Sequence, residues 1–239
     1  MDVRLERQGD LGRIVLDRPP GNALDDPVFV DPGRLEDFLS GEGLRGVVLT
    51  GAGRHFCAGA DLEALQRRLP DAATLARALD AGKVLLDRIR EAPVPVVAAI
   101  SGQCLGAGLE IALACHARVA ASGAMLGFPE SELGLMPGLG GTLETGNGLS
   151  RSRRLEWILT GRLIGPEEAL EWGLVDRVVP SGRQEEEART LIARWVGERT
   201  PRQVRAILES VGNAWRLPRA EALRRETELF LELAREVAS

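Results

Sequence analysis

A series of short apolar runs, each closed by glycine or proline and separated by helix-length stretches, constrains this chain more than any other feature. Residues 46–50 (Gly-Val-Val-Leu-Thr) end at Gly51-Ala52-Gly53, Val94 to Ile100 runs into a glycine-rich loop, and Arg118–Ala121 turns into Met125–Phe128. Such runs read as buried strands. Residues 11–17 form a further strand, stopped by Arg18-Pro19-Pro20-Gly21-Asn22, where two prolines and a glycine favour a turn. Leu75, Leu79, Leu86 and Ile89 recur at three- and four-residue spacing and predict an amphipathic helix that ends before Pro93. Leu109, Ala112 and Leu113 suit another packed helix. Alternation of buried strands with helices implies an α/β layer architecture. Beyond about residue 183 the pattern turns charged and helical. Thr200-Pro201 is a good helix start, and a last helix spans Arg219 to Val237.

At 239 residues the chain suits one sizeable domain with a helical appendage. A net charge of −5 argues against non-specific binding to nucleic acid or to anionic membranes. Cys57, Cys104 and Cys115 are odd in number and lack CxxC spacing, which fits reduced, buried thiols. His55 and His116 have no cysteine or histidine partner at metal-ligand spacing, so no metal is expected. The first residues lack a charged-then-apolar leader and no apolar run reaches spanning length, so the expectation is a soluble, cytoplasmic protein.

Glu110 and Glu130 are the candidate chemistry. They lie twenty residues apart, each beside a glycine- or proline-marked turn in apolar sequence. Two carboxylates in one pocket can divide acid and base roles when their environments push their pKa values apart. Glycines near a helix start let backbone N–H groups approach developing negative charge. On spacing alone, however, structural roles outweigh catalytic ones: Glu110 can offset the positive end of its helix, and Glu130 can be a first-turn residue after Pro129. Likewise Asp61, after the small residues Ala58-Gly59-Ala60, suits a helix N-terminus. The Gly106-Ala107-Gly108 loop fails the dinucleotide fingerprint because Ile111 stands where the third glycine belongs. No lysine follows the glycines of Pro137 to Thr142, as a phosphate loop requires, and Ser101 lacks the context of a hydrolase nucleophile.

Taken in order, these segments resemble the enoyl-CoA hydratase/isomerase (crotonase) superfamily. The markers are Asp17-Arg18-Pro19 with Asn22-Ala23-Leu24, Leu49 to Gly53, Phe56 to Leu62 and Gly102 to Glu110. Then come Pro129-Glu130, Leu133-Gly134-Leu135, Pro137 to Thr142, Leu159 to Arg162, and Glu168-Ala169 through Val175. The resemblance runs from about residue 3 to residue 182.

It implies a repeated ββα spiral core over residues 1–182 carrying a CoA thioester site, and a C-terminal helical region over 183–239 for assembly or as a lid. It also implies a homotrimer or a dimer of trimers. Glu110 and Glu130 match the two glutamates of the hydratases, and the backbone N–H groups of Ala60 and Ala107 match the oxyanion hole. Ala58, Gly59, Asp61 and Leu62, with Ala23 nearby, would meet the CoA moiety. Gly106, Pro129, Leu133 and Gly138 complete the implied substrate contacts. The implied reaction is reversible addition of water to a 2-enoyl-CoA thioester, with Glu130 as proton donor to the α-carbon and Glu110 as water-positioning partner. No cofactor is implied beyond the coenzyme A of the substrate.

Rival readings within the superfamily stay open: a double-bond isomerase, a dehydratase acting on acyl carrier protein, or a weakly catalytic binding protein. Members needing a further acid eight residues beyond Glu130 are disfavoured, since that residue is Gly138, and members needing a catalytic tyrosine are excluded because the chain has none. Three departures from the family pattern stand out. Pro27 and Pro32-Gly33 interrupt the first helix, Glu144-Thr145-Gly146-Asn147-Gly148 replaces a basic, leucine-rich helix end, and His116 stands where an aspartate is common. They imply altered acyl-pocket walls or subunit contacts.

Overall fold

The structure, a computed structural model, describes residues 2–145 and 149–237. Its main sheet has six strands, β1 (Asp2–Gln8), β2 (Leu11–Asp17), β3 (Gly46–Gly51), β4 (Val96–Ile100), β6 (Ala117–Ala121) and β8 (Arg177–Val179), in that spatial order. The first pair is antiparallel and every later pair is parallel, so each later step along the sheet needs a crossover. β1 has no apolar run of its own: its charged residues alternate with few apolar ones, and it pairs along the whole of β2.

The crossovers carry the helices α1 (Pro32–Leu39), α2 (Leu62–Arg68), α3 (Ala72–Arg90), α4 (Ala107–Ala114), α5 (Gly141–Glu144), α6 (Arg151–Thr160) and α7 (Pro166–Glu171). A second, smaller sheet pairs β5 (Gln103–Leu105) with β7 (Met125–Gly127). Isolated bridges Leu24–Ala60, Cys57–Cys104 and Leu126–Ile164 extend it. The segments that leave β2, β3, β4 and β6 are thus tied side by side.

The unbroken apolar runs follow from burial on both sheet faces. Successive side chains point to opposite faces. Val47, Leu49, Val96, Ala98 and Ile100 enter the larger core with Leu85, Leu86 and Ile89 of α3. Val48, Val97, Ala99 and Val119 enter a smaller core under Ala188, Leu191, Ile192 and Val196 of α8 (Gln184–Val196). The C-terminal stretch therefore begins with a helix that covers the sheet. After it, α9 (Pro201–Arg216) and α10 (Arg219–Val237) pack on each other and leave Val211, Trp215 and Phe230 mostly exposed.

Local signals set several helix ends as expected. Thr200 caps α9 by accepting from the Gln203 N–H, with Pro201 in the first turn. Asp61 caps α2 by accepting from the Ala64 N–H at 2.9 Å. The first helix differs from the reading of an interrupted run. Pro32 opens α1 instead of breaking it, because Asp31 accepts the Arg34 N–H at 2.7 Å and proline lacks only an N–H that the first turn leaves unpaired. Of the 144–148 departure, Glu144 ends α5 and Thr145 is buried, while Gly146, Asn147 and Gly148 lie outside the described residues.

Candidate active site

Both carboxylates reach one cavity, but from different supports. Glu110 sits in the first turn of α4 and is 2% exposed. A carboxylate buried so deeply needs hydrogen-bond donors. It has two: the N–H groups of Leu139 and Gly141 donate to its Oε1 at 2.7 and 2.8 Å. They come from a loop about thirty residues downstream, so no local pattern could reveal them. Glu130 sits in a short 3-10 turn, Pro129–Leu133, directly after the second sheet. Its Oε2 is buried without a hydrogen-bond partner.

These supports separate the two acids. Burial pushes Glu130 up to about 7, and the neighbouring Glu110 charge pushes the same way. Burial also raises Glu110, a rise that the two N–H donors and the positive charges of Arg90 and Lys83 limit without cancelling. Of the two, Glu130 is the one carried furthest toward the protonated form.

Phe128 helps fix this arrangement. Its ring is 5.2 Å from that of Trp157, which stands 5.5 Å from Trp172, and a Cβ added to Gly141 would meet the Phe128 ring at 2.6 Å. One buried aromatic stack thus backs both the segment before Glu130 and the loop that grips Glu110.

Ala60 and Ala107, the two residues expected to supply backbone N–H donors, line the same cavity. The bridge from Leu24 to Ala60 uses the Gly59 carbonyl and the Asp61 N–H, at 2.8 and 2.7 Å, and passes over the Ala60 N–H. Ala107 is the first residue of α4, where an N–H has no intrahelical acceptor. The strands between them are zipped by Cys57 N–H to Gln103 O and Leu105 N–H to Cys57 O, each 3.0 Å. A Cβ on Gly59 would lie 3.9 Å from the Ala107 nitrogen, so the two turns run in close contact. Paired donors of this kind can hold an oxygen that gains negative charge.

The cavity is walled by Ala58, Gly59, Ala60, Asp61, Leu62, Gly106, Ala107, Pro129, Leu133 and Gly138, along with Glu110 and Glu130. Ala23 is not part of this wall. Its carbonyl accepts from Arg18, which also pairs with Asp61, and the neighbouring Leu24, Asp25 and Pro27 line the cavity in its place. Sequence reasoning did not assign Leu65, Leu69, Leu75, Leu79, Leu135, Met136 and Leu139 to the site. These make much of the cavity wall aliphatic. The i, i+4 spacing of Leu65 with Leu69 and of Leu75 with Leu79 was a usable signal, but periodicity cannot tell a core face from a pocket wall.

The other titratable candidates have structural roles. His55 Nδ1 accepts the Gln103 N–H at 3.0 Å, and His116 Nδ1 accepts the Val96 N–H at 3.0 Å. At position 116 an imidazole thus supplies an acceptor, as an aspartate could. The three cysteines are free and buried, with Cys57 and Cys115 pushed up to about 12 by burial. Among the described residues no group of three or more His, Cys, Asp or Glu side chains could hold a metal ion, and no helix is long and apolar enough to cross a membrane.

A model of the enoyl-CoA hydratase/isomerase family matches residues 6–238. The chain belongs to that family. A probable enoyl-CoA hydratase of Bacillus subtilis (strain 168) is 35% identical over 199 residues, covering 82% of this chain and 76% of the relative. Among solved structures, enoyl-CoA hydratase subunit I of Geobacillus kaustophilus HTA426 is 36% identical with a TM-score of 0.87, covering 100% of this chain and 91% of that one. An enoyl-CoA hydratase of Polaromonas sp. JS666 is 30% identical with a TM-score of 0.88, covering 96% and 90%. The α/β architecture is that of the crotonase fold. Members of this enzyme family act on acyl-CoA thioesters as hydratases or isomerases.

Proposed function

We propose that this protein is an enoyl-CoA hydratase that adds water reversibly to 2-enoyl-CoA thioesters. The observation that carries the proposal is the unequal pair at one cavity: Glu110 Oε1 gripped by two backbone N–H groups, and Glu130 raised to about 7 with an unpartnered oxygen. The thioester carbonyl oxygen lies between the Ala60 and Ala107 N–H groups, and the acyl tail runs along the leucine-lined wall. Glu110 takes a proton from water as the oxygen bonds to the β-carbon. The C=C electron pair moves onto the thioester oxygen as an enolate, which the two N–H groups stabilise; losing one such donor typically costs about 3–4 kcal/mol of transition-state stabilisation. The enolate collapses and the α-carbon takes the proton of Glu130. Proton exchange with solvent then returns Glu110 to carboxylate and Glu130 to acid.

Water addition leaves the overall oxidation level unchanged, so the proposal includes no redox cofactor and no metal. It includes a cytoplasmic homotrimer or dimer of trimers, for which the exposed Trp215 and Phe230 offer apolar surface.

The test follows loss of enoyl absorbance with crotonyl-CoA and longer 2-enoyl-CoA substrates, comparing wild type with Glu110→Gln and Glu130→Gln. Abolished turnover in both variants, with folding and CoA binding retained, is the expected result. Wild type that binds hexanoyl-CoA yet hydrates none of the enoyl substrates would overturn it. A double-bond isomerase is the second reading, since one acid near 7, as Glu130 is, can move a proton between two carbons. Turnover of 3-enoyl-CoA that survives Glu110→Gln would favour it.

A further inference from the structure

The loop that grips Glu110 is itself held from behind. Leu139 and Gly141 belong to a turn around Gly140, whose φ of +111° suits glycine. The Gly140 carbonyl accepts the N–H groups of Leu143 and Glu144 at 2.9 and 3.0 Å, which closes the turn into α5. The Glu144 carboxylate then meets Arg90 Nη2 at 3.1 Å, while Arg90 Nη1 bonds Asp87 at 2.7 Å. Arg90 is the last residue of α3, and its side chain is 18% exposed. A Cβ at Gly140 would lie 3.8 Å from Arg90 Nη2, so the guanidinium sits directly under the turn.

We infer that Arg90 is a positioning residue for Glu110: bridging Asp87 and Glu144, it fixes the turn whose two N–H groups hold Glu110. Its positive charge also acts on Glu110, opposing part of the rise that burial causes. This rests on the hydratase reading for its kinetic consequence but not for its geometry. The two parts of the role separate by substitution. A planar guanidinium bridges two carboxylates with two nitrogens, whereas a lysine ammonium supplies charge from a single point. Removing Glu144 takes away the bridge but leaves the positive charge near Glu110.

The experiment uses full-length Arg90→Gln, Arg90→Lys and Glu144→Gln, with crotonyl-CoA hydration followed across pH and hexanoyl-CoA binding measured alongside. Arg90→Gln is expected to lower kcat about a hundredfold, as for a catalytic group displaced by about 1 Å, with KM and hexanoyl-CoA affinity near wild type. It should also move the acid limb of kcat/KM to higher pH. Arg90→Lys should restore that limb more fully than it restores kcat, and Glu144→Gln should lower kcat without raising the limb. A second readout needs no turnover: the Glu110 carboxyl band, isolated as the infrared difference between wild type and Glu110→Gln, titrates at higher pH in Arg90→Gln. If wild type does not hydrate enoyl-CoA, the hydratase reading fails and this band still decides the role of Arg90. A folded Arg90→Gln with an unshifted Glu110 band overturns the inference, as does one with wild-type kcat and acid limb.

Discussion

Gly106→Ala offers a sharp perturbation of the site, because the structure assigns it two separate effects. Gly106 precedes α4 with φ 50° and ψ −124°, a conformation that side chains disfavour. Holding alanine there costs about 1–3 kcal/mol. For a chain of this size, about 2–4 °C is lost per kcal/mol, so the melting temperature should fall by about 2–12 °C. Separately, the new Cβ would stand 2.8 Å from Glu130 Oε1, closer than carbon and oxygen pack, so the carboxyl must move. If it moves by about 1 Å, turnover should fall about a hundredfold. Hydration of crotonyl-CoA, measured well below the variant's melting temperature, isolates the second effect from the first. The drop should fall mainly on kcat, with a smaller effect on KM because Gly106 also lines the cavity beside Ala107. A folded Gly106→Ala whose kcat lies within about twofold of wild type would refute the placement of the Glu130 carboxyl as a reacting group.

Two pH effects follow from the same electrostatics. Glu130 holds its proton to about 7, against about 4.5 for an ordinary glutamate, so the folded state binds more protons between those values and stability falls as pH rises through them. Hydration kcat should decline above about pH 7 as the donor proton is lost, and a Glu130→Gln variant should lack the stability slope; an identical slope in the variant would rule out Glu130 as its source. His116 has the opposite sign. Burial lowers it to about 4, and the unfolded chain takes up the proton at about 6.5, so its contribution is present above 6.5 and lost as pH falls toward 4. The difference between wild-type and His116→Asn stability curves should narrow across that window, and a constant difference would reject the assignment.

Local pattern was enough to read the interior strands, the long α3 helix and the caps at Asp61 and Thr200, because each depends on residues within a turn or two of one another. The family markers likewise named Glu110, Glu130 and the small-residue turns that lie beside them. Tertiary structure decided what those residues experience. β1 exists only through its antiparallel partner. Leu24, Asp25 and Pro27 line the cavity where Ala23 was expected, and the Ala23 carbonyl accepts from Arg18, which also pairs with Asp61. Most of all, two glutamates that read alike in sequence become unlike acids. One receives N–H donors from a loop far along the chain, and the other is desolvated with no donor to its buried oxygen. Sequence placed both carboxylates near turns, but burial and long-range hydrogen bonds set their protonation, and those are properties of the packed chain alone.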